Sequence, residues 1–347
     1  MNFQRSEAQV LLSDGARRYV EKNFDYETRR KALAGGEAYS VERWRHMADM
    51  GWLALVLPEA HGGLDGTPAD YAILMESIGG GLLPEPLVPV VQAARLLLAT
   101  GGADDLLAAT AIGEARPVIA HGEIAAGGCL SHVEARADRT GGGWRLTGTK
   151  ALVLGGAAAT HYVLSARTSG ATGDEVGISL FLLPADHPDL GRRDIRLTDD
   201  SFGSDLRFAN LNLPTDALLG QEGEGFGPLR EGMAWLQLGL HAEALGAMDK
   251  AMWTTRDYVR TRQQFGTTLS TFQAVQHRLA DMAMEIEMAR SMLFRLLAAF
   301  TRDSRTLDRI LAAAKARFGE AGFFVGAQSV QLHGGMGMAD DYVIGML

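Results

Sequence analysis

FQAVQHRLADMAMEIEMARSMLFRL, residues 272–296, places apolar side chains at Phe272, Val275, Leu279, Met282, Ile286, Ala289, Leu293 and Leu296. These recur alternately three and four residues apart, which puts them along one seam of a helix with charges elsewhere. Ser270-Thr271-Phe272-Gln273 just ahead has the spacing of a capping box, so Ser270 and Gln273 are expected to satisfy the first free amides. The segments 226–260, 272–300 and 305–330 are all long and helical in pattern, with short breaks between them. They predict an antiparallel helical bundle.

Upstream the pattern changes. Trp144-Arg145-Leu146-Thr147, His161 to Ser165, Ile178 to Leu183 and Phe208 to Leu213 are short apolar or alternating runs, most of them bounded by Gly, Pro or Asp. That is the mark of an antiparallel β domain, and no helix-length segment interrupts it as a parallel βαβ sheet would require. Further upstream, Asp14–Val20, Val41–Met50 and Ala69–Ile78 read as helices separated by Gly- and Pro-rich breaks such as Pro58 to Gly63. The expected fold class is mainly α with a central β domain. Its expected divisions are an N-terminal helical domain (1–115), a middle antiparallel β domain (116–222) and a C-terminal helical bundle (223–347).

Composition narrows the function. The chain has 347 residues, a formal net charge of −9, 47% hydrophobic and 22% charged residues. An acidic balance disfavours a nucleic-acid surface, which needs clustered Lys and Arg. The single cysteine, Cys129, permits no intramolecular disulfide, fits a reducing cytoplasm and reads as a small residue in a Gly-rich stretch. No secretory signal is expected from the polar first residues. The most apolar region, Leu82–Leu98, is too interrupted by prolines and polar residues to span a membrane.

Several ligand motifs fail. Gly335-Met336-Gly337-Met338-Ala339-Asp340 lacks the third glycine of a dinucleotide fingerprint and follows a helix. Gly143 to Lys150 has Thr149 where a phosphate loop needs lysine, and reads as a hairpin. Neither a His-Glu-x-x-His segment nor a Cys/His ligand cluster occurs, so no metal is expected. A Gly-x-Ser-x-Gly elbow is also missing.

The C-terminal third carries the informative motifs. Arg262-Gln263-Gln264-Phe265-Gly266 is followed by Phe272-Gln273-Ala274-Val275-Gln276-His277, then Leu279-Ala280-Asp281-Met282, then Gln331-Leu332-His333-Gly334-Gly335-Met336-Gly337. Together with Trp44…Met50-Gly51-Trp52…Leu57-Pro58-Glu59…Gly62-Gly63 and Trp144 to Lys150, this set resembles the acyl-CoA dehydrogenase family over nearly the whole chain. Lys150–Leu154, His241–Met248 and the Gln331–Met338 loop are most similar to the bacterial small-subunit branch, of the pimeloyl-CoA dehydrogenase small-subunit type.

The resemblance implies an N-terminal helical domain, a middle β domain and a C-terminal four-helix bundle, with FAD lying extended between the last two. It also implies α,β-desaturation of an acyl-CoA thioester in fatty acid metabolism. A carboxylate takes the Cα proton while Cβ delivers a hydride to flavin N5, and hydrogen bonds at the thioester carbonyl stabilise the enolate. Electrons would pass to an electron-transfer flavoprotein. The assembly would be a homo-oligomer or an α2β2 heterotetramer with a second acyl-CoA dehydrogenase subunit.

By the same resemblance Arg262 contacts the FAD diphosphate across a subunit interface, a task suited to a planar guanidinium. Gln264 and Phe265 match residues near the flavin. Gln331, Gly334 and Gly335 match the loop that nears the partner's FAD, where glycine lets amides approach phosphate. The family's usual base lies downstream of the Gly-Gly-x-Gly loop, and Asp340 and Asp341 fall too early for it. Glu243, in the apolar Leu240–Leu245 stretch, is the candidate base, matching a position proposed for catalysis in heterotetrameric members. The alternative is a buried glutamate paired with His241 or an arginine. Arg192 and Arg193 are candidates for a CoA phosphate or for a solvated turn.

Two departures stand out. The family's Thr-Glu-Pro…Gly-Ser-Asp loop is replaced by His121 to Gly128, and its Trp-Ile-Thr/Ser segment by Leu152-Val153-Leu154, which removes a hydroxyl expected at flavin N5. These losses favour a chain that supplies part of a composite site, either as the catalytic flavin subunit or as a non-catalytic partner subunit.

Overall fold

The computed structural model describes residues 4–339, 342–345 and 347; Asp340 and Asp341 lie outside them. In chain order its helices are α1 (Glu7–Asn23), α2 (Tyr26–Ala34), α3 (Val41–Asp49), α4 (Pro68–Gly79), α5 (Leu87–Thr100) and α6 (Asp104–Ala111). Eight strands follow: β1 (Pro117–Ala120), β2 (Arg136–Thr140), β3 (Gly143–Leu154), β4 (His161–Arg167), β5 (Ile178–Pro184), β6 (Leu190–Arg196), β7 (Phe202–Pro214) and β8 (Leu218–Leu219). Then come α7 (Phe226–Thr261), the two-residue strands β9 (Gln263–Gln264) and β10 (Thr267–Thr268), α8 (Gln273–Ala299) and α9 (Ser304–His333). The fold class is as expected: helices, a central sheet, then long helices. The C-terminal region supplies three long helices among the described residues.

The chain forms two compact units. One comprises Gly36–Gly66 and Pro84–Leu236, so the sheet takes α3, α5 and α6 with it. Strand order is β6-β7-β3-β2-β4-β5-β8, with β1 also on β4. Most pairs are antiparallel; β1 and β2 each run parallel to β4. Alternation works as expected along β3, where Trp144 and Leu146 are buried and Arg145 and Thr147 exposed. Trp144 meets Phe181 edge-on at 5.2 Å in the core, and α5 buries most of the apolar Leu82–Leu98 region rather than spanning anything.

Arg167 is an unusual core member. The residue is 1% exposed, and its guanidinium donates to the carbonyls of Ser131, Val133, Ser169, Thr172, Asp174 and Val176. A buried cation is tolerated here because its donors are all taken up by carbonyl oxygens of two loops. Those contacts fix the loop that leads from Cys129 into β2.

The other unit comprises Met1–Gly35, Thr67–Leu83 and Gln237–Leu347. The α8 seam is buried from Met282 onward, through Ile286, Ala289, Leu293 and Leu296, while Phe272 at its start stays exposed. The expected capping box does not form. A 3-10 turn over Leu269–Thr271 and an extended Phe272 (φ −81°, ψ 125°) start the helix at Gln273 with no side-chain cap. The Ser270 carbonyl instead accepts from the Gln276 side chain at 2.9 Å.

Helices α4 and α7 cross at glycines. A Cβ on Gly79 would lie 2.1 Å from the Glu243 carbonyl oxygen, and one on Gly246 would lie 2.1 Å from that of Glu76. Backbone that close leaves no room for a methyl group. Gly246→Ala is therefore expected to destabilise the chain by about 1–3 kcal/mol through overpacking. Urea unfolding measures it, and a change under about 0.5 kcal/mol, the level of a surface substitution, would contradict the crossing. Beside the crossing Arg290 joins Glu76 on α4 to Asp249 on α7 (2.6 Å to the latter), tying three helices by charge.

Candidate functional site

Helix α7 ends where Arg262 begins a two-residue hairpin. The Arg262 amide still donates to the Tyr258 carbonyl at 2.8 Å, and its own carbonyl accepts from Leu269 at 2.9 Å. Between them β9 and β10 pair antiparallel, Gln264 with Thr267 and Gln263 with Thr268. The turn residues Phe265 (φ 57°) and Gly266 (φ 81°) are both left-handed, as a type I′ turn demands. Glycine accepts that conformation freely; phenylalanine does so only under strain. Phe265 is also 87% exposed, its ring edge-on to Phe272 at 6.1 Å. The Arg262 and Gln264 side chains are exposed, and Arg262 makes no ion pair among the described residues.

The loop after α9 comes to the same end of the helices. α9 closes with Gly334 at φ 59° and ψ −138°, a conformation open only to glycine, and a 3-10 turn over Gly334–Met338 follows. Gln331, Gly334 and Gly335 are exposed, and a Cβ on either glycine would meet nothing within 4 Å. One contact ties the two features. Tyr258, one turn before Arg262, stacks on His333 at 4.3 Å and donates to its carbonyl at 3.4 Å. His333 is buried, and its Nδ1 donates to the Ser329 carbonyl at 2.8 Å. Burial lowers its pKa, so it stays neutral and packs the loop. The structure thus brings Arg262, Gln264, Phe265, Gln331, Gly334 and Gly335 to one end of the long helices.

Glu243 is elsewhere. It lies about 28 Å back along α7 from Arg262, at 1.5 Å per residue. It is half-buried, on the face that meets α4, and its charge acts with burial to raise the Tyr71 pKa. It does not pair with His241, whose ring lies against Phe318 at 4.7 Å. Burial, helped by Lys315, pushes the His241 pKa down to about 4.

In the sheet unit Lys150 on β3 and the His121–Gly128 segment form a polar core that the sequence did not announce. Lys150, 1% exposed, donates to Glu123 at 2.6 Å, to the Ser165 hydroxyl at 3.0 Å and to the His121 carbonyl at 3.2 Å. Glu123 also accepts from the amides of Glu134 (2.6 Å) and Ala135 (3.1 Å). Burial pushes the Lys150 pKa down to about 8 even against the pull of Glu123. For Glu123 burial acts upward, but Lys150 and the amides outweigh it and the net shift is downward. Beyond Lys150 one extra residue on β3 makes a bulge, since Lys150 pairs Leu206 and Val153 pairs Ser204. Leu152 sits there at φ 51°, its amide held by Asp205 at 3.1 Å. Arg192 and Arg193 lie on β6 rather than in a turn, paired with Asp194 at 3.1 Å and Asp205 at 2.6 Å.

Sequence reasoning missed Tyr71, the Lys150–Glu123 pair and the hairpin. Only the last left a signal: a Phe-Gly pair between short polar runs has the length of a two-residue turn.

Comparison with known proteins identifies the family and the fold. Family models match as acyl-CoA dehydrogenase N-terminal domain over 6–106, middle domain over 119–211 and C-terminal domain over 223–347. The probable acyl-CoA dehydrogenase FadE25 of Mycobacterium tuberculosis is 31% identical over 302 residues, 85% of this chain and 77% of that protein. Among solved structures, the Tcur3481-Tcur3483 steroid ACAD G363A variant aligns with a TM-score of 0.86 and 31% identity, over 98% of this chain and 90% of that one. The ChsE4-ChsE5 complex from Mycobacterium tuberculosis aligns with a TM-score of 0.87 and 26% identity, over 100% and 92%. With all three domain models matched in order along its length, this chain belongs to the acyl-CoA dehydrogenase family of FAD-dependent oxidoreductases.

Proposed function

We propose that the chain is a subunit of an acyl-CoA dehydrogenase that desaturates Cα–Cβ of an acyl-CoA thioester, and that Arg262 and the Gln331–Gly335 turn grip the FAD diphosphate. The observation that carries this is the exposed guanidinium of Arg262, with no ion pair among the described residues, beside a turn whose glycines leave open space. Such donors fit a diphosphate: the fork bonds paired oxygens, and bare backbone lets amides come close. Gln264 and the strained, exposed Phe265 are assigned to the flavin and the neighbouring subunit, which supplies a reason for keeping a phenylalanine where glycine would sit more easily. When bound, FAD supplies the acceptor for the hydride leaving Cβ.

Glu243 is assigned as the base that takes the Cα proton. Its half-buried place in an apolar stretch supports this, because partial loss of water strengthens a carboxylate as a base. The electron acceptor is an electron-transfer flavoprotein, and the compartment is the cytoplasm. Among the described residues no helix is long and apolar enough to cross a membrane. The two-chain complex of ChsE4 and ChsE5 among the structural relatives supports an α2β2 assembly with a second acyl-CoA dehydrogenase subunit.

A second reading has specific support. The α7 face bearing Glu243 is closed by α4, and Leu152-Val153-Leu154 offers no hydroxyl. Both favour a non-catalytic partner that lends Arg262 to another chain's FAD.

Flavin retention tests the shared core of the two readings. In the purified assembly Arg262→Ala should weaken flavin binding about tenfold to a hundredfold, the worth of a charge-assisted pair of hydrogen bonds. Arg262→Lys should fall between, keeping the charge but not the fork. Unchanged flavin content in the alanine variant would remove Arg262 from the site.

A further inference from the structure

Helix α9 carries glycines that its own chain does not use. A Cβ on Gly319, Gly322 or Gly326 would meet nothing within 4 Å. Glycine inside a helix loosens it relative to alanine, so bare glycines there need a reason. Gly79 and Gly246 have one, because the α4–α7 crossing fills the space over them. Beside the α9 glycines stands Phe323, 80% exposed. The helix buries Ile310, Ala314, Phe318, Ala321 and Val325 on one side. Ala312, Ala316, Gly319 and Phe323, spaced four, three and four residues apart, are exposed along the other, the spacing of a helix-packing seam. Arg278 on α8 donates to Gln328 on α9 at 2.7 Å, and Arg317 on α9 pairs with Glu285 on α8, so the two helices run antiparallel. That register sets Met284 and Met288 of α8, both exposed, at the height of Gly319 and Ala316, and they widen the apolar surface.

Charge divides by end. Asp281 of α8 stands level with Phe323, and Glu320 lies one turn before it; both acids are exposed, and Arg278 nearby is engaged by Gln328. About 21 Å back along α9 basic residues prevail: Arg305 and Arg309, with Arg295 of α8 at their level, are exposed beside Asp308. From this face we propose that α9, flanked by α8, docks against the same surface of a second copy of this chain, the two α9 helices running antiparallel about a twofold axis near Ala316. Small side chains at Ala312, Ala316 and Gly319 let the backbones approach. The twofold carries Phe323 with Glu320 and Asp281 of each copy onto the arginines of the other, where a guanidinium suits both an aromatic face and a carboxylate. A like chain is the occupant because one surface holds both the acidic, aromatic end and the basic end, and a twofold brings each to its complement at once. This rests on the reading of the chain as a member of a multi-subunit assembly; Glu243 and the flavin play no part in it.

Crosslinking tests the geometry. Ala316→Cys in a Cys129→Ser background leaves a single thiol per chain. A short bis-maleimide applied to the purified assembly should join two copies of this chain, because the twofold sets the two residues 316 side by side. Analytical ultracentrifugation tests the affinity. Phe323→Asp and Arg309→Glu should each weaken self-association about tenfold or more, the loss expected of a central aromatic anchor or a desolvated charge pair. Glu320→Arg combined with Arg309→Glu swaps the charges and should recover most of what Arg309→Glu loses. Gly319→Leu separates docking from folding. Its side chain meets open space within the chain, so the thermal midpoint should hold or rise while self-association falls.

Crosslinking of residue 316 to a different chain, or no crosslink in an assembly that still holds two copies, would overturn this docking face and leave the multi-subunit reading standing. A flavin-loaded chain that sediments as a monomer at every concentration would overturn both. Unaltered self-association in Phe323→Asp and Gly319→Leu alike would also overturn the face, since a contact there would then carry no affinity.

Discussion

Replacing Glu243 by glutamine is expected to lower turnover by about a hundredfold to ten-thousandfold, the contribution of a positioned general base, while the flavin stays bound. Glutamine keeps the shape of the side chain, so the close contact of Gly79 with the residue 243 carbonyl survives. What is lost is the negative charge assigned to accept the Cα proton. Nothing else in the half-buried stretch replaces it, because Leu240, Ala242, Ala244 and Leu245 carry no titratable group. His241 is pushed down to about 4 by burial and lies against Phe318. Flavin content must be measured on the same preparation, since Arg262 is about 28 Å away along α7 and is not disturbed. A variant that keeps its flavin and turns over near-normally would leave the chain as the partner that completes another subunit's site.

The second large effect is on stability. Glu123→Ala is expected to destabilise the chain by about 3–5 kcal/mol at neutral pH, because it strands a buried ammonium and two amides. Lys150 would keep only the Ser165 hydroxyl and the His121 carbonyl, and the amides of Glu134 and Ala135 would lose their acceptor. The effect carries a pH signature. The folded-state pKa of Lys150 is already down at about 8, below its unfolded value, so folding favours the neutral amine. Removing Glu123 pushes it lower still. The penalty should therefore be largest when the unfolded lysine is charged and shrink as pH rises through the alkaline range. Adding Lys150→Met to Glu123→Ala should recover part of the loss, since an apolar group of similar length strands no charge. Urea unfolding of the single and double variants decides it. A loss in Glu123→Ala below about 1 kcal/mol would make the pair ordinary surface-like chemistry.

Period carried most of the architecture. The three-four alternation from Met282 to Leu296 is the buried side of α8, and alternation along Trp144 to Thr147 is β3. Both depend on nearest neighbours along the chain, which sequence displays. The start of α8 was misread for the same reason in reverse. Ser270 to Gln273 has the spacing of a cap, but the chain is committed to the β9–β10 hairpin and a 3-10 turn, so Phe272 is extended and Ser270 serves Gln276. Of the site, the Arg262 and Gly334–Gly335 motifs were visible as residue types. That one Tyr258–His333 stack brings them to the same end was not, because it joins helices far apart in the chain. Lys150 with Glu123, and the Tyr71 hydroxyl against Gly239, are likewise distant pairs. Neither residue type signals its partner, and only the sheet register and the helix crossing create them.

A density map of the flavin-loaded assembly tests the central assignment most directly. The predicted result is diphosphate density between the Arg262 guanidinium and the bare backbone of Gly334 and Gly335. Side chains packed into that space, with the diphosphate bound elsewhere, would contradict it.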